Sequence, residues 1–67
     1  MHPERDQGVV VAWARALELA ATGLYNDHVE IAWQLYDEGF RMPRGWLSVE
    51  LRRKEIRRLI FGARSAR

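Results

Sequence analysis

The absence of cysteine most constrains the fold of this chain, because the chain has only 67 residues. A domain of this size buries only about 60% of the surface that its unfolded form exposes, so its core gives marginal stability. Without cysteine it forms neither a disulfide nor a thiolate metal site. The absence of both favours self-association as a source of stability.

The composition is that of a globular protein, with 48% hydrophobic and 30% charged residues. The longest uninterrupted apolar run is residues 9–14, whereas a membrane span needs about 20 residues. Residues 1–6 carry both signs of charge and no signal-peptide pattern follows them. We expect a single domain, residues 1–67, located in the cytoplasm.

Hydrophobic periodicity predicts an all-α domain of three helices, over about residues 3–21, 27–38 and 48–63. Gly23 and Gly39 follow the first two segments in the position of a left-handed C-cap. The β-branched run at residues 9–11 weakens the first helix, so a short strand there is the alternative.

Two helix starts have capping signals. Asp27 and Glu30 have the spacing of a capping box. In this motif the side chain of the first residue accepts from the backbone amide of the second, and the side chain of the second reaches back to the start of the helix. Ser48 is the predicted N-cap of the third helix. The intervening loop contains Pro43 and is too long for a standard helix-turn-helix motif.

The apolar stripes predict a core and a possible contact surface. The predicted core consists of Trp13, Leu17, Val29, Trp33, Tyr36, Ile56, Leu59 and Ile60. The first helix has a second apolar stripe, which a second copy of the chain could cover. The candidate interface therefore comprises Val9, Ala12, Ala16, Leu19 and, from the loop, Trp46. A tryptophan that is half exposed would mark a contact surface.

Charge is distributed unevenly, with a balance of −5 over residues 1–40 and +7 over residues 41–67. The candidate residues for binding nucleic acid or an acidic partner are Arg41, Arg44, Arg52, Arg53, Lys54, Arg57 and Arg58. The alternative is that this surface pairs with Glu30, Asp37 and Glu38, within the chain or across a dimer. A basic helix could also lie on a membrane, but its apolar stripe is needed for the core, so we do not expect this.

The inventory for catalysis is small. Ser48 is explained as a cap, and Ser65 lies in the last few residues of the chain. His2 and His28 are not at metal-ligand spacing, and no glycine-rich phosphate loop occurs. We expect no enzyme activity, no cofactor and no metal site.

The segment 32–44, which reads AWQLYDEGFRMPR, resembles a pattern in many small uncharacterised proteins of actinobacteria and their phages. In that pattern a helix ends in Leu-Tyr, two small or acidic residues, a glycine, an aromatic residue and a basic loop. The resemblance implies a GC-rich phage or host as the source, and an accessory role exerted by binding. It assigns no functional residue.

The sequence therefore predicts a non-enzymatic interaction module that binds a protein partner or itself. The alternative is a nucleic-acid-binding accessory protein that uses the arginine-rich third helix.

Overall fold

A computed structural model describes residues 3–66, with side-chain burial described from Val9 to Ala66. Three α-helices, α1 (Pro3–Ala21), α2 (His28–Asp37) and α3 (Glu50–Ser65), follow one another, and a short 3₁₀ helix (Trp46–Ser48) precedes α3. Residues 3–66 include no β-strand, which confirms the predicted all-α fold. The strand alternative at residues 9–11 is wrong, because this run lies inside α1. His2 lies outside the described residues.

The start of α2 has the predicted capping box. The Asp27 carboxylate accepts hydrogen bonds from the backbone amides of Val29 and Glu30. The Glu30 carboxylate reaches back to the amide of Asn26 at 2.8 Å, one residue further than the simplest form of the motif. Both predicted glycine caps are left-handed, with φ of 72° at Gly23 and 98° at Gly39.

The predicted cap at Ser48 is wrong. Gly45 adopts a left-handed φ of 76°, and the chain then winds into the 3₁₀ helix, where the Ser48 amide donates to the Gly45 carbonyl at 3.0 Å. Ser48 is therefore already helical when α3 begins. Val49 stands at the N-cap of α3 instead, and no side chain caps that helix.

The core lies where α1 and α3 pack against each other and against the inner side of α2. Its members are Ala16, Leu19, Ala20, Ile31, Leu35, Leu47, Ile56 and Ile60. Small residues dominate the contribution of α1, which allows its backbone to approach the neighbouring helices closely. Leu47, on the 3₁₀ helix, closes the core at the end of the long loop.

The predicted core is correct on α3, partly correct on α1 and wrong on α2. Ile56 and Ile60 are buried and Leu59 is half-buried, whereas the three predicted residues of α2, Val29, Trp33 and Tyr36, are exposed. Trp13 and Leu17 of α1 are half-buried and pack against the core, as Leu59 does. In place of the three predicted residues, α2 buries Ile31 and Leu35, each with 0% of its surface exposed. At about 100° per residue, the apolar residues of α2 span roughly 200° of its circumference. The neighbouring helices cover only one half of this arc.

The candidate interface on α1 is also largely wrong. Ala12, Ala16 and Leu19 are buried by this chain itself, so a second copy has no access to them. All three lie on the core face of α1, and the two alanines allow α3 to pack closely there. Val9 and Trp46 are half-buried and remain accessible.

Candidate interaction surface

The outer side of α2 carries the exposed half of the apolar arc. We call Val29, Trp33 and Tyr36 the Trp33 face. Trp33 is 68% exposed, and its two companions are each more than one third exposed. Of the three tryptophans, it is the one that is more than half exposed and so marks a contact surface, since Trp13 and Trp46 are each less than half exposed. An exposed tryptophan with apolar neighbours is a frequent anchor at protein interfaces.

On one side of Trp33 lies a groove of about 470 Å³ between α2 and the long loop. Its walls include the Trp33 face together with His28 and Arg44. The Tyr36 hydroxyl donates to the Met42 carbonyl at 3.3 Å and so ties the loop to α2. Arg44 gives this groove a positive charge, and none of the described residues that line it is acidic.

On the other side of Trp33 lies a more open groove that includes Glu30, Gln34 and Asp37. The Glu30 carboxylate is occupied by Asn26, whose amide and side-chain nitrogen bond it at 2.8 and 3.3 Å. Asp37 forms no ion pair within the described part of the chain. The Trp33 ring therefore stands between a basic groove and an acidic one.

A third groove, of about 450 Å³, runs between the first half of α1 and the start of α3 and includes Val9 and Trp46. Trp13 and Trp46 meet there edge to face, with ring centroids 6.0 Å apart. The Arg52 guanidinium lies 4.4 Å from the centre of the Trp46 ring and donates to the Trp46 carbonyl at 3.2 Å. Arg52 is therefore held against Trp46 by a cation–π contact and a hydrogen bond.

Two other predicted basic residues have acidic neighbours on their own helix. Lys54 pairs with Glu50 at 3.2 Å, and Arg58 pairs with Glu55 through two hydrogen bonds. The hydrogen bonds with Arg58 lower the pKa of Glu55. Both pairs are exposed, and the two residues of each pair are about one helical turn apart, so each pair contributes little to stability.

The remaining predicted basic residues are Arg41, Arg44, Arg53 and Arg57. None forms an ion pair among residues 9–66. Pairing of the basic surface with the acidic side of α2 within one chain is therefore wrong for the described residues. Glu38 is held by Arg15 of α1 instead, and Glu30 by Asn26. Pairing across a dimer stays a prediction.

The structure also brings two predicted arginines together with residues that the sequence did not indicate. Arg53 and Arg57 line a groove with His28, Phe61 and Arg64, between α3 and the start of α2. Phe61 follows Ile60 in the sequence, and this position suggests a place at the core, yet the side chain is 62% exposed. Only the packing of α3 reveals that it faces outward among arginines.

Within the described residues, no three His, Asp or Glu side chains come close enough to hold a metal ion. The two carboxylates nearest His28 in the sequence have other partners: Asp27 accepts hydrogen bonds from two backbone amides, and Glu30 accepts one from the amide of Asn26. None of the helices described is long and apolar enough to cross a membrane. Comparison with protein-family models, with curated proteins and with solved structures finds no match to this chain.

Proposed function

We propose that this chain is a non-enzymatic protein-interaction module that associates with a second copy of itself through the Trp33 face. The observation that carries the proposal is the position of Trp33, which is 68% exposed between a groove containing Arg44 and a groove containing Asp37. Opposite charges on the two sides of one apolar ridge make the surface complementary to itself.

The symmetry of such a pair follows from this layout. A two-fold axis that runs along the ridge, parallel to α2, places the basic groove of one copy over the acidic groove of the other. Arg44 of one copy then meets Asp37 of the second, and the two Trp33 rings pack at the centre. An axis perpendicular to the ridge would oppose like charges, so the expected dimer has parallel α2 helices.

Energetics favour an anchor at this position. Tryptophan and tyrosine bury large areas at low cost in conformational entropy, and they dominate binding at interface centres. A domain of 67 residues has a small core of its own, so additional burial between copies stabilises the fold as well. A cytoplasmic location and an origin in an actinobacterium or its phage stay predictions from the sequence.

The test is sedimentation equilibrium over a wide concentration range. We expect a reversible dimer for the unaltered chain, and a dissociation constant at least about 10-fold weaker for Trp33→Ala. Leu51→Ala is the matched control, because it truncates another strongly exposed apolar side chain outside the Trp33 face and should leave association unchanged.

Charge reversal tests the geometry. Arg44→Asp and Asp37→Arg should each weaken the dimer, and the double variant should recover association because the pair is restored with its signs exchanged. A chain that stays monomeric up to millimolar concentration would overturn the proposal. So would a dimer that Trp33→Ala leaves intact.

A further inference from the structure

The groove between α3 and the start of α2 concentrates arginine side chains around an exposed aromatic ring. It has a volume of about 330 Å³, and Arg53, Arg57, Phe61 and Arg64 form its α3 wall. His28 and its two preceding residues form the opposite wall. This groove is separate from the acidic side of Trp33, and nothing in the proposed dimer uses its α3 wall.

Arg53 and Arg57 are one helical turn apart, so their Cα atoms differ by about 6 Å in height along the helix axis. Both are exposed, and neither forms an ion pair within residues 9–66. Two unpaired guanidinium groups at this spacing suit two successive phosphates of an extended strand, because each one donates to phosphate oxygens in a bidentate manner.

Arg64 is fixed at the end of the groove. Its guanidinium donates to the Tyr25 carbonyl at 3.1 Å and to the Asn26 side-chain oxygen at 2.8 Å. It also donates to the Gly23 carbonyl at 3.4 Å. All these acceptors are uncharged, so no carboxylate among the described residues offsets Arg64 directly and its positive charge contributes to the field in the groove.

The negative charge within the groove belongs to Asp27. Its carboxylate accepts hydrogen bonds from the amides of Val29 and Glu30 at 3.0 and 3.1 Å. This places the acid against the positive end of α2, where the helix dipole offsets it. Three arginines against one such carboxylate leave the groove positive.

The exposed Phe61 ring indicates which kind of ligand this groove binds. Its ring is 62% exposed and lies one turn after Arg57, beside the two phosphate-binding candidates. An exposed ring among arginines offers a platform on which an unpaired base stacks, which a base inside a duplex cannot do. Ile56 and Ile60 are buried, so α3 has no free apolar stripe to insert into a membrane.

We propose that this groove binds single-stranded nucleic acid, with Arg53 and Arg57 on successive phosphates and Phe61 stacked on a base. The proposal does not depend on the Trp33 dimer. It goes beyond the arginine set that the sequence indicated, because it excludes Arg52 and adds Phe61 and Arg64.

The test is fluorescence anisotropy with a labelled dodecamer of deoxythymidine, the same strand in a duplex, and phosphatidylglycerol vesicles. We expect the single strand to bind more tightly than the duplex. Its affinity should fall linearly with salt on logarithmic axes, and Arg53→Gln with Arg57→Gln should reduce the slope by about 1.4. The double lysine variant keeps the charges and should keep the slope.

Substitution of the ring separates stacking from general attraction. Phe61→Leu keeps an apolar side chain but removes the aromatic face, and it should weaken single-strand binding about 5- to 100-fold without changing the salt slope. Leu51→Ala and Trp33→Ala should bind as the unaltered chain does. Tighter duplex binding, binding to vesicles alone, an unchanged affinity for Phe61→Leu or no binding at low salt would each overturn the proposal.

Discussion

Arg15 in the middle of α1 binds Glu38 at the C-cap of α2 through two parallel hydrogen bonds. Its Nε lies 2.9 Å from Glu38 Oε1, and its terminal nitrogen lies 2.9 Å from Oε2. Gln34 donates to the same carboxylate at 2.9 Å. This two-pronged pair joins residues 23 positions apart and fixes the end of α2 against α1. The hydrogen bonds from Arg15 and Gln34 lower the pKa of Glu38 from 4.5 to about 2.

The lowered pKa predicts a pH-dependent contribution to stability. A carboxyl group whose pKa is depressed by folding stabilises the folded state above its unfolded value of 4.5, and this contribution is lost as the pH falls towards about 2. We therefore expect the melting temperature of the unaltered chain to exceed that of Glu38→Gln near neutral pH. The difference should shrink steadily below about pH 4.5, as followed by circular dichroism.

Asp37→Asn is the control for that experiment at a concentration where the chain is monomeric, since it removes the same charge from the neighbouring residue and leaves the pair with Arg15 intact. The difference in melting temperature between the unaltered chain and Asp37→Asn should not shrink in the same way below about pH 4.5. A difference between the unaltered chain and Glu38→Gln that stays constant from neutral to acid pH would contradict the role of the ion pair.

The two sides of α2 should respond differently to truncation. Ile31→Ala leaves a cavity at a fully buried position and should cost about 2–5 kcal/mol of unfolding free energy. Trp33→Ala removes a larger side chain, yet it should cost less than about 0.5 kcal/mol in the monomer, because that side chain is mostly exposed. Urea denaturation at a concentration where the chain is monomeric measures both, and a greater loss for Trp33→Ala would reverse the assignment of the inner face.

Gly23 should tolerate alanine less well than Gly45 does. Both are left-handed, and alanine in that conformation costs about 1–2 kcal/mol. At Gly45 a Cβ atom would have open space, whereas at Gly23 it would lie 3.3 Å from the Cβ of Ala63 on α3. Urea denaturation should therefore show a larger loss for Gly23→Ala, and equal losses would mean that this contact relaxes without cost.

The helix caps offer a paired test of the same kind. Asp27→Ala removes the acceptor of two backbone amides and should cost about 1 kcal/mol, while Asp27→Asn should retain most of the stability. Ser48→Ala should change stability by less than about 0.5 kcal/mol, because Ser48 caps no helix. Thermal denaturation measures all three variants, and a larger loss at Ser48 than at Asp27 would restore the sequence-based assignment.

The features that the sequence predicted correctly depend on local chemistry. Gly23, Gly39 and Asp27 act through the backbone within one turn of their own positions, so their roles are visible without a partner element. The prediction of Ser48 as an N-cap failed because Ser48 ends a 3₁₀ helix, which depends on the left-handed Gly45 and on the Leu47 anchor. A capping signal alone does not reveal such a turn.

The inner and outer sides of α2 could not be assigned from the sequence. The pair Ile31 and Leu35 and the Trp33 face both satisfy the helical period, and the choice between them depends on where α1 and α3 pass. For the same reason, the sequence could not show which of the seven candidate basic residues have partners within the chain and which do not. The contact of Arg52 with Trp46 depends on the 3₁₀ helix, and the exposure of Phe61 depends on the rotation of α3.

The packing of α1 directly against α3 has a consequence for how the protein is made. Because Ile56 and Ile60 complete the core, the first two helices have nothing to close over Ile31 and Leu35 until α3 has been synthesised. Folding of this domain therefore waits until α3 has been translated, and then occurs in one cooperative step. A ribosome product that stops before Ile56 exposes this apolar surface and becomes a substrate for proteases and chaperones.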